Sequence, residues 1–285
     1  MITQPICGRI AHMNEKTQPK QTRPRLWRAA ASLLLILMAA LGVLNLLLAA
    51  LISADQPTNA PSGTLLYIST FDDDEETDAD DTFNAQWTLY TGQDSAQVEG
   101  GVLFISIGSA GGVFTDLNQP FADLDAEVLT SWESGAPDII EAAEASLMFR
   151  YQDVNNFYAF KLRGDGAYRV ERLQAGKLDV LSEWQIAPQA LSGLGAFNRL
   201  RVVAQGDQFR FYVNDLPVLL CPKGEDRRST WNGLRSSACL SNNQQTAEFL
   251  IDSAFKTGKI ALGAVAGQGA SGFRVAFDTV IVIAP

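Results

Sequence analysis

The sequence predicts an all-β antiparallel domain, a sandwich or a barrel, preceded by a single N-terminal transmembrane α-helix. Three observations carry this reading. From Thr64 onward, short segments rich in Val, Ile, Phe, Tyr and Leu follow one another, a composition that suits a pleated, half-buried surface. Turn residues separate these segments at short intervals, and the one helical run, near residues 138–145, is brief and weakly amphipathic. Strands joined by hairpins without crossover helices form antiparallel sheets.

The segments that read as strands are residues 64–70, 86–90, 102–107, 113–117, 126–132, 146–152, 157–163, 167–173, 178–185, 198–204, 208–213, 217–220, 248–251, 259–265 and 273–283. Between them, Gly164-Asp165-Gly166, Ala175-Gly176, Gly206-Asp207 and Asn214-Asp215 supply the chemistry of tight hairpins. Arg163-Gly164-Asp165 matches an adhesion tripeptide, but turn formation explains it fully. The interval 221–246, rich in Arg, Gly, Asn, Ser and Gln, breaks the rhythm and reads as an elaborated loop of the kind that carries specificity.

Residues 29–54 are uncharged, with only Ser32, Asn45 and Ser53 as polar interruptions. That exceeds the roughly 20 apolar residues a helix needs to cross a bilayer. The alternative is a cleaved signal peptide cut before Asp55, which the length of the apolar core disfavours. Arg9, Lys16, Lys20, Arg23, Arg25 and Arg28 precede the segment, and Asp55 and the acidic run 72–81 follow it. The positive-inside bias therefore predicts a cytoplasmic tail at 1–28, a membrane helix at 29–54, a Pro/Ser/Gly-rich linker at 55–63 and an extracytoplasmic domain at 64–285.

The charge is divided along the chain. Six Lys/Arg against Glu15 in residues 1–54 leave 16 Lys/Arg against 31 Asp/Glu beyond, and residues 55–149 hold no Lys or Arg at all. Such an acidic domain excludes a nucleic-acid partner, which needs clustered cations to neutralise phosphates. It also predicts that the two halves of the fold contribute oppositely charged surfaces. The only histidine, His12, lies in the tail, so the domain has no Ser-His-Asp or Cys-His site and no usual zinc ligand set. Cys221 and Cys239 share an oxidising compartment in this topology. They either pair, closing a loop worth roughly 3 kcal/mol, or stand as two thiols.

Three features combine into a resemblance: Phe71-Asp72 with Trp87, the run from Phe197 through Asn214-Asp215, and Gly258–Gly263 followed by Phe277–Val282. Over residues 65–284 the chain resembles the concanavalin A-like lectin/glucanase superfamily, and within it the laminin-G-like and 3-keto-disaccharide hydrolase domains. The resemblance implies a jelly-roll β-sandwich and glycan binding or glycan processing, although a shared fold does not fix function.

Candidate chemistry falls in three places. On a strand, Asp123, Asp125 and Glu127 share one face, similar to the catalytic strand of glucanases of this fold; the first position is Asp rather than Glu, a shorter arm where carboxyl spacing matters. The plainer reading is an acidic solvent-facing strand. Second, the oxygen-rich run 72–81 suits calcium, and the resemblance implies a structural site where the first and last strands meet, from Asp72 or Asp74 with Asp278; a solvated acidic loop is the alternative. Third, Arg150, Lys161, Arg169, Arg201 and Arg210, with Tyr212, Arg163, Arg199 and Trp184 nearby, alternate against Phe149, Phe160, Val170, Leu200 and Phe211. They form either the wet face of a sheet or a binding face for an anionic glycan or extracellular polymer. The functional expectation is a membrane-anchored module that binds carbohydrate or another extracellular ligand without catalysis. The alternatives are a glycoside hydrolase or lyase using the acidic strand, and a structural or protein-interaction domain of a membrane complex.

Overall fold

The computed structural model describes residues 60–72, 86–109, 111–221, 240–241, 244–245, 248–267 and 271–285. The tail, the hydrophobic segment 29–54, His12, Asp74 and Cys239 lie outside these residues. Among the described residues no helix is long and apolar enough to cross a membrane.

The strands in chain order are β1 (Leu65–Ser69), β2 (Ser95–Glu99), β3 (Val102–Ile107), β4 (Gly112–Phe121), β5 (Leu124–Ser134), β6 (Glu144–Asp153), β7 (Asn156–Arg163), β8 (Ala167–Gln174) and β9 (Lys177–Ile186). They continue as β10 (Asn198–Gln205), β11 (Gln208–Val213), β12 (Leu216–Pro217), β13 (Leu240–Ser241), β14 (Gln244–Gln245), β15 (Leu250–Ile251), β16 (Gly258–Val265) and β17 (Phe273–Ile283). A nine-stranded sheet runs β12-β11-β10-β5-β17-β3-β2, with β1 on β17 and β15 on β11, and a six-stranded sheet runs β4-β16-β6-β7-β8-β9. Every strand pairing in both is antiparallel. The domain is thus the all-β jelly-roll sandwich expected from the sequence.

The hairpins form where the turn residues stand. Ala175 and Gly176, and Asn214 and Asp215, take positive φ in consecutive pairs, the backbone that joins twisted strands by two-residue loops. Two departures from the expected strands have clear physical reasons. Residues 86–90 make only isolated bridges, Trp87 to Leu117 and Tyr90 to Ala96, because Trp87 turns inward: its indole N–H donates to Tyr67 Oη at 2.9 Å and its ring lies 5.7 Å from Phe71. Ser95–Glu99, too polar to read as a strand, becomes β2 because Gly100 and Gly101 at positive φ fold it back onto β3. The helical signal near 138–145 is a six-residue helix, Pro137–Ala142, that opens on Pro and buries Ile140.

Between the sheets lies an apolar core with a stacked aromatic centre. Phe149 stacks on Tyr158 at 5.1 Å, and Phe209 and Phe211 meet Phe149 edge-on from the other sheet. Arg150 is buried in the same region, a correction to its expected place on the wet face. Its φ of 49° marks an interruption of the β6–β7 register between Phe149 and Asp153, and the side chain follows Phe149 inward. There the guanidinium donates to Phe255 O at 2.8 Å and Gly206 O at 2.7 Å, approaches Asp123 at 3.4 Å, and lies over the Phe209 ring. Asp123 also accepts from Gly206 N at 2.9 Å.

Arg150 therefore ties β6 to the β10–β11 turn and to the chain entering β16. Arg150→Ala strands two carbonyls and Asp123, and is expected to cost about 3 kcal/mol in urea unfolding. Arg150→Lys should recover little, since an ammonium lacks the planar fork. A loss below about 1 kcal/mol for Arg150→Ala would contradict this role.

Candidate functional site

Side chains alternate across a strand, so the register of the six-stranded sheet fixes what its outer face presents. One row runs Phe114, Gly263, Ser146, Lys161 and Arg169 across five strands; the next runs Asp116, Ala261, Met148, Ala159 and Glu171. Beyond them Lys259 pairs with Tyr151 and Phe157 with Leu173. The inward positions are Leu147, Phe149, Phe160, Val170 and Leu262, all in the core.

Two unlike patches share this outer face. At one end Phe114, Tyr151 and Phe157 form an aromatic ridge with ring centroids 5.8–6.4 Å apart. Met148, Ala159, Ala261 and Leu173 pack around it as an apolar cluster separate from the main core. Burial pushes the Tyr151 hydroxyl up to about 12, with Asp116 and Asp153 adding to it. At the other end Lys161 Nζ lies 3.0 Å from Glu144 and 2.7 Å from Glu171, and Arg169 Nε lies 2.9 Å from the second oxygen of Glu171. Arg163 pairs with Asp165 and, like Arg169, lies over the Trp184 ring, at 4.9 and 5.6 Å respectively. Lys259 pairs with Asp116 at 2.7 Å. Burial works against the Lys161 ammonium, but the two glutamates outweigh it and hold the amine above its ordinary range. Lys161 is therefore a fixed cation and not a nucleophile.

Of the predicted ligand-binding residues, Lys161 and Arg169 are brought together, as neighbours in register. Arg201, Arg210 and Tyr212 lie instead on the outer face of the nine-stranded sheet, where Arg201 sits over Tyr212 at 5.0 Å and Arg210 over Phe249 at 5.7 Å. The single basic face expected from strand alternation is thus two faces on two sheets, because β9 and β10 belong to different layers. The acidic triplet shares that second layer. Asp125 takes both oxygens to Arg201, at 2.6 and 2.5 Å, and that bond, outweighing burial, raises the Arg201 pKa. Asp123 sits one residue before β5 and is held by Gly206 and Arg150. Asp123 and Asp125 are thus committed to structure, which leaves Glu127 without a carboxylate partner for acid–base work.

For calcium, Asp278 accepts from Thr279 N at 2.7 Å, and Asp72 lies so close to the β2–β3 turn that a Cβ on Gly101 would meet its Oδ1 at 2.2 Å. Asp74 lies outside the described residues, and no metal-binding group of three His, Cys, Asp or Glu occurs among the described ones. Cys221 is buried with its amide on Ser182 Oγ at 2.8 Å; pairing with Cys239 falls outside the described residues. Glu171 answers the basic row, as the sequence allows, whereas Phe114, Tyr151 and Phe157 carry no sequence signal of this face, since an aromatic in a β-run reads as core, and Glu144 carries none of its pairing with Lys161. Asp116, two residues after Phe114, is the available signal that this side of β4 meets water.

Lys161, Tyr151, Tyr158 and Tyr168 all have raised folded-state pKa values. For each, the form favoured by folding is the protonated one. Their contribution is complete below the unfolded values of about 10 and lost as pH rises through the folded ones. Unfolding free energy should hold to about pH 10 and then fall. Lys161→Met should be less stable by about 1–3 kcal/mol at neutral pH and fall less steeply in alkali. Equal stability at neutral pH with an unchanged alkaline slope would refute the pairing.

Comparison with known proteins agrees with this fold. No curated protein sequence matches the chain. Among solved structures, a protein of unknown function with a galectin-like fold from Bacillus subtilis aligns with a TM-score of 0.50 at 11% identity, covering 78% of this chain and 97% of that one. A carbohydrate-binding module from Bacillus subtilis aligns with a TM-score of 0.48 at 18% identity over 70% of this chain and 95% of its own. A Bacillus licheniformis beta-glucanase aligns with a TM-score of 0.47 at 10% identity over 77% and 98%. A family model described as a 3-keto-alpha-glucoside-1,2-lyase-like domain matches residues 67–280, most of the chain. On that match, the chain belongs to the family of 3-keto-alpha-glucoside-1,2-lyase-like domains.

Proposed function

We propose that this chain is a membrane-anchored extracytoplasmic module that binds a neutral carbohydrate on the outer face of its six-stranded sheet. The observation that carries the reading is the meeting, on one rigid face, of an aromatic ridge and a charge-balanced row. Lys161, Arg163, Arg169 and Lys259 are each answered there by Glu144, Glu171, Asp165 or Asp116. An anionic ligand would have to compete with those carboxylates. A sugar ring asks for something else: an apolar surface for its C–H face and fixed polar groups for its hydroxyls. This replaces the anionic glycan expected from the basic residues alone. Family membership supports a glycoside ligand, and the anchor rests on the length and flanks of residues 29–54.

The family description also favours a second reading, an enzyme acting on a keto-glucoside. Its acids would then be Glu144 and Glu171 on this face rather than Asp123, Asp125 and Glu127. Turnover of a 3-keto-glucoside that Glu144→Gln abolishes would favour that reading over binding alone.

Calorimetric titration of the full-length chain with neutral gluco-oligosaccharides tests the leading proposal. Phe114→Ala should weaken binding by up to about tenfold, Arg210→Ala on the other sheet should not, and affinity should be constant as salt rises. Affinity that falls with salt, or that Arg210→Ala reduces while Phe114→Ala does not, would contradict it. In the same preparation, retention in the membrane pellet after alkaline washing supports the anchor, and a mature chain starting near Asp55 would disprove it.

A further inference from the structure

Around the rim from this face lies a cleft that none of the foregoing residues explains. It measures about 400 Å³ and is lined by Pro137, Ile140, Glu141, Gly164, Asp165 and the segment Ser192–Leu194. That volume is within the range of small-ligand sites. Its walls are built by close backbone approach. Gly164 accepts from Gly193 N at 3.1 Å and donates to Ala143 O at 3.0 Å, and a Cβ on Gly164 would stand 1.9 Å from Ile140 O. On the far side Gly195 N donates to Trp132 O at 2.9 Å. The cleft is therefore preformed.

Its lining is of two kinds, which match the two sides of a pyranose ring. Pro137 and Leu194 offer apolar surface over the buried Ile140, and Leu194 is half exposed at 51%. Glu141 and Ser192 are exposed polar side chains, and Glu141 has no ion pair among the described residues. Asp165 is bound by Arg163 and by Ala167 N at 3.0 Å. No cation lines the cleft, so it offers hydroxyl-accepting carboxylates and nothing to hold an anion.

Asp165 also connects the cleft to the sheet face. It pairs with Arg163, which lies over Trp184, which meets Arg169, which shares Glu171 with Lys161. From Arg163 to Phe157 along β7 is about 20 Å at the strand rise, a span that one sugar unit cannot fill. We propose that the cleft is a second carbohydrate subsite, receiving the end of a neutral oligosaccharide whose body lies on the six-stranded face. The ligand is then a chain with a free end. This rests on the binding reading above for the body of the chain, but the cleft has residues of its own and can fail separately.

The test is calorimetric titration of the full-length chain, in a non-glycosidic detergent, with gluco-oligosaccharides from glucose to a hexasaccharide. Leu194→Trp fills the cleft from an exposed loop, and Glu141→Ala removes its free carboxylate without touching the core. Both should weaken the hexasaccharide about tenfold, and reduction of its terminal unit to an open-chain alditol should weaken binding to the wild type by a similar factor. Phe114→Ala should weaken every chain long enough to reach the ridge. Hexasaccharide affinity unchanged by Leu194→Trp and Glu141→Ala, but lowered by Phe114→Ala, overturns the subsite and leaves the face. Loss in the cleft variants without loss in Phe114→Ala overturns the face. No binding of any member of the series overturns both.

Discussion

The domain is held by a constraint visible in its charges: residues 55–149 hold no cation, so every ion pair their acids form draws its basic residue from the rest of the domain. Five of them are met among the described residues, three across paired strands and two at longer range. Asp123 meets Arg150, Asp125 meets Arg201, Glu99 meets Arg274, Asp116 meets Lys259 and Glu144 meets Lys161. Among the described residues, Lys177 and Arg210 are the cations without a carboxylate partner, and Arg210 lies over Phe249 instead. Charge segregation in the sequence thus becomes charge interleaving in the fold, because β4 and β5 from the first half insert beside β16, β10 and β17 from the second. Surface pairs of this kind are individually weak. Those at Lys161 and Arg150 are not surface pairs, since both cations are largely withdrawn from water.

Interleaving also decides what the outer faces can bind. Read along the chain, the basic residues of the second half suggest an anion site. Read across the six-stranded sheet, Lys161, Arg163, Arg169 and Lys259 are already answered, and what remains is a polar surface of little net charge beside a packed aromatic cluster in which Phe114 is the partly exposed ring. That surface suits a neutral polyhydroxylated ligand, whose hydroxyls exchange one set of hydrogen bonds for another while its ring covers apolar area.

The strand pattern was legible because alternation and turn chemistry are local. Residues 102–107 and 208–213 coincide with β3 and β11, and the paired positive-φ turns stand where Ala175-Gly176 and Asn214-Asp215 are written. Sheet membership was not legible, since it depends on which strands meet through the core. Lys161 and Arg201 therefore looked like one surface and occupy two. Arg150 departs from simple alternation because one irregular residue in β6 reverses which side its side chain takes. The aromatic ridge was hidden by its own chemistry: Phe114 and Phe157 look like core, and only the polar neighbours two residues away along β4 or across β7 and β8 show that their face meets water. The acidic triplet was seen as a set, but its bond to Arg201 requires β10 beside β5, a contact separated by more than seventy residues.

The most direct test of the central claim is to map the amide chemical shifts of the full-length, isotope-labelled protein as a neutral gluco-oligosaccharide is added. The account expects the largest changes on β4, β6, β7 and β16 around Phe114, Ser146, Tyr151, Phe157 and Gly263, with Arg201, Arg210 and Tyr212 undisturbed. Changes centred on Arg201, Arg210 and Tyr212, with the six-stranded sheet silent, would contradict it.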